Sequence, residues 1–351
     1  MKKAVLKSIT VLAALLLLGN PVLAGNTAAV DQVGSNNSAA VSQSGDNNDV
    51  DIDQVGDDNT ADATQNGDGN SSTIQQLSSG NGDFNPGNWN GRTNQTGDGN
   101  TAEIYQLSDN QQYAHIQQNG DRNYGLISQD DGGLPNEEQE GGNDADMHQS
   151  GNGNRGKIKQ HGYGNGGTNF AGTSASSESA TLHQVGNLNR GSIEQYGYYN
   201  DADLRQVGDL NYATIEQNGG ANSAVIDQDG NENGWSHILQ NGIFNTANIT
   251  SIGDLNVGDL HQNGIFNSGA IYQEGNENTG KIFQEGDFNA ARVAQYGDDN
   301  RGVIDQDGDD NLATIFQDGN DNNASIVQNN NGNVAGVAQI GNGNVASIVQ
   351  N

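Results

Sequence analysis

Along most of its length this chain repeats a unit of eleven residues, N-x-(A/G)-x-(I/V)-x-Q-x-G-x-x, which runs without interruption from Asn278 to Gln317. Gln32, Gln43, Gln54, Gln65 and Gln76 open the series, and from Gln184 it continues to Gln350 with Ser251 once replacing glutamine. Of the 26 intervals between Gln32 and Gln350, 21 are eleven residues, two are twelve and three are longer. Such a period decides the architecture, because a unit this short cannot bury a core by itself and has to stack on its own copies.

Within a unit, Asn, Ala or Gly, Ile or Val, and Gln stand two residues apart. That is the period of a strand, so the four side chains share one face and the intervening ones point the other way. The same spacing would scatter apolar residues around a helix. The x-G-x-x that follows is a tight turn in which glycine takes backbone angles that other residues resist. Composition agrees: only 32% of residues are hydrophobic, mean hydropathy is −0.75, and there are 51 Gly but 3 Pro. A chain so polar cannot fill a wide core, whereas scarcity of proline suits a continuous hydrogen-bonded ladder.

The expected fold is therefore all-β, a β-solenoid of two-strand coils with 22 residues per coil. Stacking at about 4.8 Å gives about 13 coils and a rod of roughly 60 Å. Recurring amides would lie above one another as cross-β Asn and Gln ladders. The expected ladder and turn residues are Gln184, Gly186, Asn189, Ile193, Gln195, Asn200, Gln206, Gly208, Asn211, Ala213, Ile215 and Gln217 in the middle of the chain. Further along they are Gln284, Gly286, Asn289, Gln295, Gly297, Asn300, Ile304, Gln306, Asn311, Ile315 and Gln317. The three long intervals predict exposed loops at about 77–88, 130–142 and 161–177. They follow the fifth, ninth and eleventh strands, all odd, so a two-strand coil would emit all three from one edge.

Residues 1–24 differ from the rest. Lys2, Lys3 and Lys7 precede an apolar run from Ile9 to Leu18, a break at Gly19-Asn20-Pro21, and small residues before Gly25. This pattern predicts a secretory signal peptide cleaved between Ala24 and Gly25, leaving 25–351 as the secreted repeat domain. The apolar run is too short to span a bilayer.

Net charge is −31, from 13 Lys+Arg against 44 Asp+Glu. Such a surface repels nucleic acid and anionic membranes. With no cysteine, thiol chemistry and disulfides are excluded. Catalysis needs convergent acids, bases or nucleophiles that break the repeat. His115, His148, His161, His183, His237 and His261 are scattered along the chain, and the expectation for them is solvated surface side chains. Aspartates fall in turns or at outward positions, as turn formers and solubilising charges. Asp49-x-Asp51-x-Asp53 begins like a calcium loop but has Gln54 where glycine is required. No catalytic, cofactor, metal or specific small-molecule site is expected, and the chain reads as a structural protein. Outward aromatics such as Tyr105, Tyr124, Tyr212, Tyr272, Phe283 and Phe316 fit strand propensity or a lateral contact surface.

After Asp321 no charged residue remains. The uncharged, β-branched closing strands around Ile326, Gln328, Val337, Gln339, Asn344, Ile348 and Gln350 predict an assembly end. An unprotected edge of this kind templates a further chain.

The pattern Gln206-Val-Gly208-Asp-Leu-Asn211-Tyr-Ala213-Thr-Ile215-Glu-Gln217 resembles the curlin repeat of curli fimbriae, and more than twenty units match it in register. The resemblance implies a bacterial functional amyloid of the biofilm matrix, which transits the periplasm and assembles at the cell surface. Implied partners are other copies of the chain, a nucleator subunit, an outer-membrane secretion pore and periplasmic chaperones. The regular, uncharged terminus favours the major fibre-forming subunit over the minor nucleator. A monomeric secreted β-solenoid adhesin or binding module remains the reading from a different class.

Overall fold

The structure, a computed structural model, describes residues 25–77, 89–107, 112–130, 143–163 and 180–351. Their regular structure is entirely β. Twenty-seven strands, numbered in chain order, run from β1 (Thr27–Val33) and β2 (Ser38–Ser44) to β26 (Val334–Ile340) and β27 (Val345–Gln350). Odd-numbered strands form a 14-stranded sheet and even-numbered strands a 13-stranded sheet. Every pairing is parallel and links a strand to the one two further on, so the chain winds as a β-solenoid of about 13 turns with 22 residues per regular turn.

Register never slips. Ile193 lies opposite Ile215 and Gln195 opposite Gln217. Across a long insertion Gln129 still lies opposite Gln160. A shift of one residue would turn every inward side chain to solvent, and this fixes the pairing.

The core is a narrow double column, in most strands one large aliphatic and one small residue, with Ile193, Ile215, Ile304 and Ile315 all fully buried; β4 (Asn59–Asn66) with Ala61 and Ala63, and Thr93, depart from the pattern. The alternation of Ala and Gly at the small position has a steric basis. A Cβ added to Gly156 would meet Met147 Sδ at 2.6 Å and Leu182 Cδ2 at 2.7 Å across the core. Glycine at such a position leaves room for the side chains of the facing sheet.

Turns carry two left-handed residues where the repeat announces one. Gly208 has φ +108°, and a Cβ there would lie 2.0 Å from the Gly230 carbonyl oxygen in the next coil. Two residues on, Leu210 also has φ 60°, as does Phe266 at 57°. That second position is glycine at Gly69, Gly99, Gly153, Gly332 and Gly343 and Asn or Asp in units such as those of Asn36 and Asp310, but it also admits larger residues, because a side chain there lies on the outside of the turn.

Three expected loop boundaries are corrected. Leu77 ends β5 (Ser71–Leu77), Asp130 ends β9 (Tyr124–Asp130), and His161–Tyr163 close β11 (Arg155–Tyr163). Each remains in the ladder because a neighbouring coil supplies a partner in register: Val55 for Leu77, His161 for Asp130 and Tyr196 for His161. The rest of the expected loops, 78–88, 131–142 and 164–177, and the expected leader, 1–24, lie outside the described residues. The strands preceding the three insertions all belong to the 14-stranded sheet, as their parity predicts.

Candidate functional site

The repeat's polar residues form continuous hydrogen-bonded columns. In the 14-stranded sheet the column is unbroken from Gln32 to Gln350, each Nε2 donating to the next Oε1 at 2.6–3.1 Å. Gln195, Gln217, Gln284 and Gln306 belong to it. The second N–H crosses to the other sheet: Gln217 donates to the Asp201 carbonyl at 2.9 Å and Gln306 to that of Ala290 at 3.1 Å. Both donors of these buried amides are used, which removes the penalty for burying them.

Gln184, Gln206, Gln295 and Gln317 form the matching column in the 13-stranded sheet. Asparagines fasten the turns. Asn189 Nδ2 donates to the Gly208 carbonyl at 2.7 Å while its Oδ1 accepts the Asn211 backbone N–H at 2.9 Å. Asn289 and Asn300 repeat the arrangement, with Asn311 donating its backbone N–H to Asn289 Oδ1 at 3.0 Å. The carbonyls of Gly186, Gly286 and Gly297 accept from Asn154, Asn267 and Asn278. Asn200, Ala213 and the isoleucines complete the buried face.

Turn aspartates do more than keep the surface soluble. Asp209 Oδ1 accepts the Asn187 backbone N–H at 2.7 Å, and Asp309 Oδ1 accepts that of Asp287 at 2.9 Å. Each satisfies the backbone of an adjacent turn, a role that spacing alone did not reveal.

Among the described residues, the two extremes of the stack carry the strands that pair on one side only. Ile326 and Gln328, expected at the assembly end, sit one strand inside it and are fully buried, because β27 pairs over them. The last level of the stack consists of β26, β27 and the turn between them: Val337 and Gln339 of β26 are still buried, while Asn344 in the turn and Ile348 and Gln350 of β27 are only partly covered. At the opposite extreme Val30, Ala39 and Val41 pack against the core but are only partly covered. The amide columns are polar: Gln328 donates to Gln350 at 2.8 Å, so donors point toward β27 and acceptors toward β1.

Outside, the stack gathers what the sequence scatters. The histidines are not isolated surface groups: His115 and His148 flank Asp146, and His237 and His261 flank Asp259. In-register stacking causes this, since residues 22 or 31 positions apart become neighbours. Phe244, Phe266 and Phe288 stack face to face along the turns, with ring centroids 4.8 and 5.4 Å apart. Their signal is a 22-residue period, one full coil, which an eleven-residue reading hides. Arg122, Arg155 and Arg190 line one groove of about 550 Å³ with Leu188, Leu210 and Tyr212, a local cationic spot on an acidic molecule.

Stacked aspartates perturb one another. Burial, then the adjacent Asp203, pushes the Asp201 carboxyl up to about 6. Asp51 and Asp305 are raised by burial first and by neighbouring aspartates second. Asp146 and Asp259 go the other way: burial would raise them, but hydrogen bonds from the flanking histidines outweigh it and hold both well below the usual carboxylate range.

Six segments of the chain, residues 24–56, 56–83, 177–208, 208–236, 275–308 and 297–329, match the family model described as the curlin associated repeat. Together they span about half of the sequence, and the described strands between them keep the same register. No curated protein matches the chain.

Proposed function

Because the chain belongs to the curlin repeat family, we propose that it is a structural subunit whose copies add end to end into an extracellular, cell-surface fibre of the curli type. Its activity is templated β-solenoid growth, without catalysis. The observation that carries this reading is the match between the two open edges. Each offers the same Ala, aliphatic and Gln order, with amide donors facing out of one and acceptors out of the other. The regular closing strands favour the fibre-forming role over nucleation. By family analogy the partners are a nucleator, an outer-membrane pore and periplasmic chaperones, and the route is secretion through the periplasm after cleavage at Ala24.

The strand number specifies how copies of residues 25–351 would join. With 27 strands, the position following β27 belongs to the 13-stranded sheet, above β26. A seamless joint therefore rotates the next copy by half a turn, so that its β1 pairs with β26 and its β2 with β27. Val337 then meets Val30, Gln339 meets Gln32, Ile348 meets Val41 and Gln350 meets Gln43.

The test uses the absence of native cysteine. Ser347→Cys with Ala40→Cys places two outward thiols directly opposite at this joint, at a spacing of about 4.8 Å that a disulfide tolerates. Oxidised fibres of that variant should yield covalent multimers, while Ser347→Cys with Ala29→Cys should not. A chain that stays monomeric under light scattering at high concentration, with no 4.7–4.8 Å diffraction repeat, would sink the fibre reading in favour of a monomeric adhesin.

A further inference from the structure

The same constellation of side chains occurs twice on the outside of the solenoid, once on each sheet. A histidine on one strand lies in register with the aspartate of an Asp-x-His pair on the next strand of that sheet. His237 of β17 (Ser236–Ile243) lies opposite Asp259 of β19 (Val257–Ile265), with His261 two residues along. His115 of β8 (Tyr113–Asn119) lies opposite Asp146 of β10 (Asp144–Ser150), with His148 two residues along.

At the first, three donor atoms converge. His237 Nδ1 is 3.2 Å from His261 Nε2, His261 Nε2 is 2.9 Å from Asp259 Oδ1, and His237 Nδ1 is 3.7 Å from that same oxygen. An ion bound tetrahedrally at about 2.0–2.1 Å separates its ligands by about 3.3 Å, the mean of this triangle. The surroundings suit a metal centre. Lys281 Nζ, 3.3 Å from Asp259 Oδ2, holds the carboxylate's other oxygen and leaves Oδ1 toward the imidazoles. Asp259 Oδ1 is buried, with the two imidazole nitrogens as its neighbours. Glu216 Oε1 stands 3.9 Å from His237 Nε2, too far for a hydrogen bond but close enough to add negative charge behind the ring. Trp235 and Phe283 wall the cluster on either side, with ring centroids 5.8 Å from His237 and 5.2 Å from His261.

At the second copy His115 Nδ1 and His148 Nε2 each lie 3.1 Å from Asp146, one on each oxygen, and the His183 ring stands 6.2 Å from that of His148. Borderline-soft divalent ions favour this imidazole and carboxylate donor set over the all-oxygen set of calcium.

We propose that His237, Asp259 and His261, and in second place His115, Asp146 and His148, bind a divalent first-row transition-metal ion of the zinc type. Each ion would clip two successive coils together from outside. This goes beyond the fibre-forming role, and its outcome does not depend on assembly.

The test titrates chelator-treated chain with zinc chloride by calorimetry. Wild type should saturate at two ions. His261→Gln and His148→Gln should each retain one, and the double variant none. Glutamine fits both places, since the stacked neighbours there, Leu239 and Phe283 or Gln117 and His183, already differ in size and polarity. Asp259→Asn keeps the shape and should weaken the first site at least tenfold. A single ion lost only in His261→Gln would uphold the Asp259 site and remove the Asp146 one. Absence of binding, or equal binding by the double variant, would overturn the proposal.

Discussion

Gln228 donates its side-chain amide to Ser236 Oγ at 3.0 Å across the core, at the one level where Ser251 interrupts the glutamine column. Ser236 occupies the small inward position, opposite Ala213 in the ladder. Beyond the gap, Ser251 Oγ donates to Gln273 Oε1 at 3.1 Å and restarts the column. Two serines thus repair one missing glutamine. Ser236→Ala should lower stability by about 1 kcal/mol, the cost of one buried hydrogen bond. With Ser251→Gln in place that cost should vanish, and denaturant midpoints of the four-member cycle check the coupling.

Gly208→Ala should cost more than about 3 kcal/mol, because strain at positive φ adds to overlap with the next coil's carbonyl. Leu210, left-handed two residues on but open to solvent, should behave oppositely. Leu210→Asn relieves strain worth about 1 kcal/mol and should raise the melting temperature slightly. If both variants melt alike, the distinction between the two turn positions fails.

Stability should respond to pH with a defined sign. Asp201, raised to about 6, and Asp51 and Asp305, also raised, take up protons more readily when folded. Their stabilisation is complete below an unfolded value of about 3.9 and is lost as pH rises through the folded values. Asp146 and Asp259, held low, stabilise above about 3.9 and lose that contribution only on further acidification. Thermal unfolding should therefore show a higher midpoint at pH 5 than at pH 7, and a fall toward pH 2. A midpoint that drops between pH 7 and pH 5 would contradict the assignment.

Fibre growth should also quicken on acidification, because protonating carboxylates near pH 4 removes repulsion between molecules of net charge −31. Seeded growth followed by dye fluorescence would be faster at pH 4 than at pH 7. Added salt at pH 7 should recover part of the difference by screening. Equal rates throughout would mean that charge does not limit addition.

The sequence by itself determined the strand, its inward face and the coil. Asn, Ala or Gly, Ile and Gln at spacings of two can be buried together only on one side of a strand, and an eleven-residue period leaves no partner but the next copy. Gln195, Ile193 and Gly208 lie where that reasoning put them. Only the tertiary structure decided what becomes adjacent across coils. Residues such as His115 and Asp146, or His237 and Asp259, are distant in sequence and lie outside the repeat's pattern, so nothing local marks them as neighbours. The same stacking buried Ile326 and Gln328 beneath β27, and it set the turn aspartates to cap their neighbours. Local spacing fixes the direction of each side chain; the register between coils fixes its company, and that is a property of the stack as a whole.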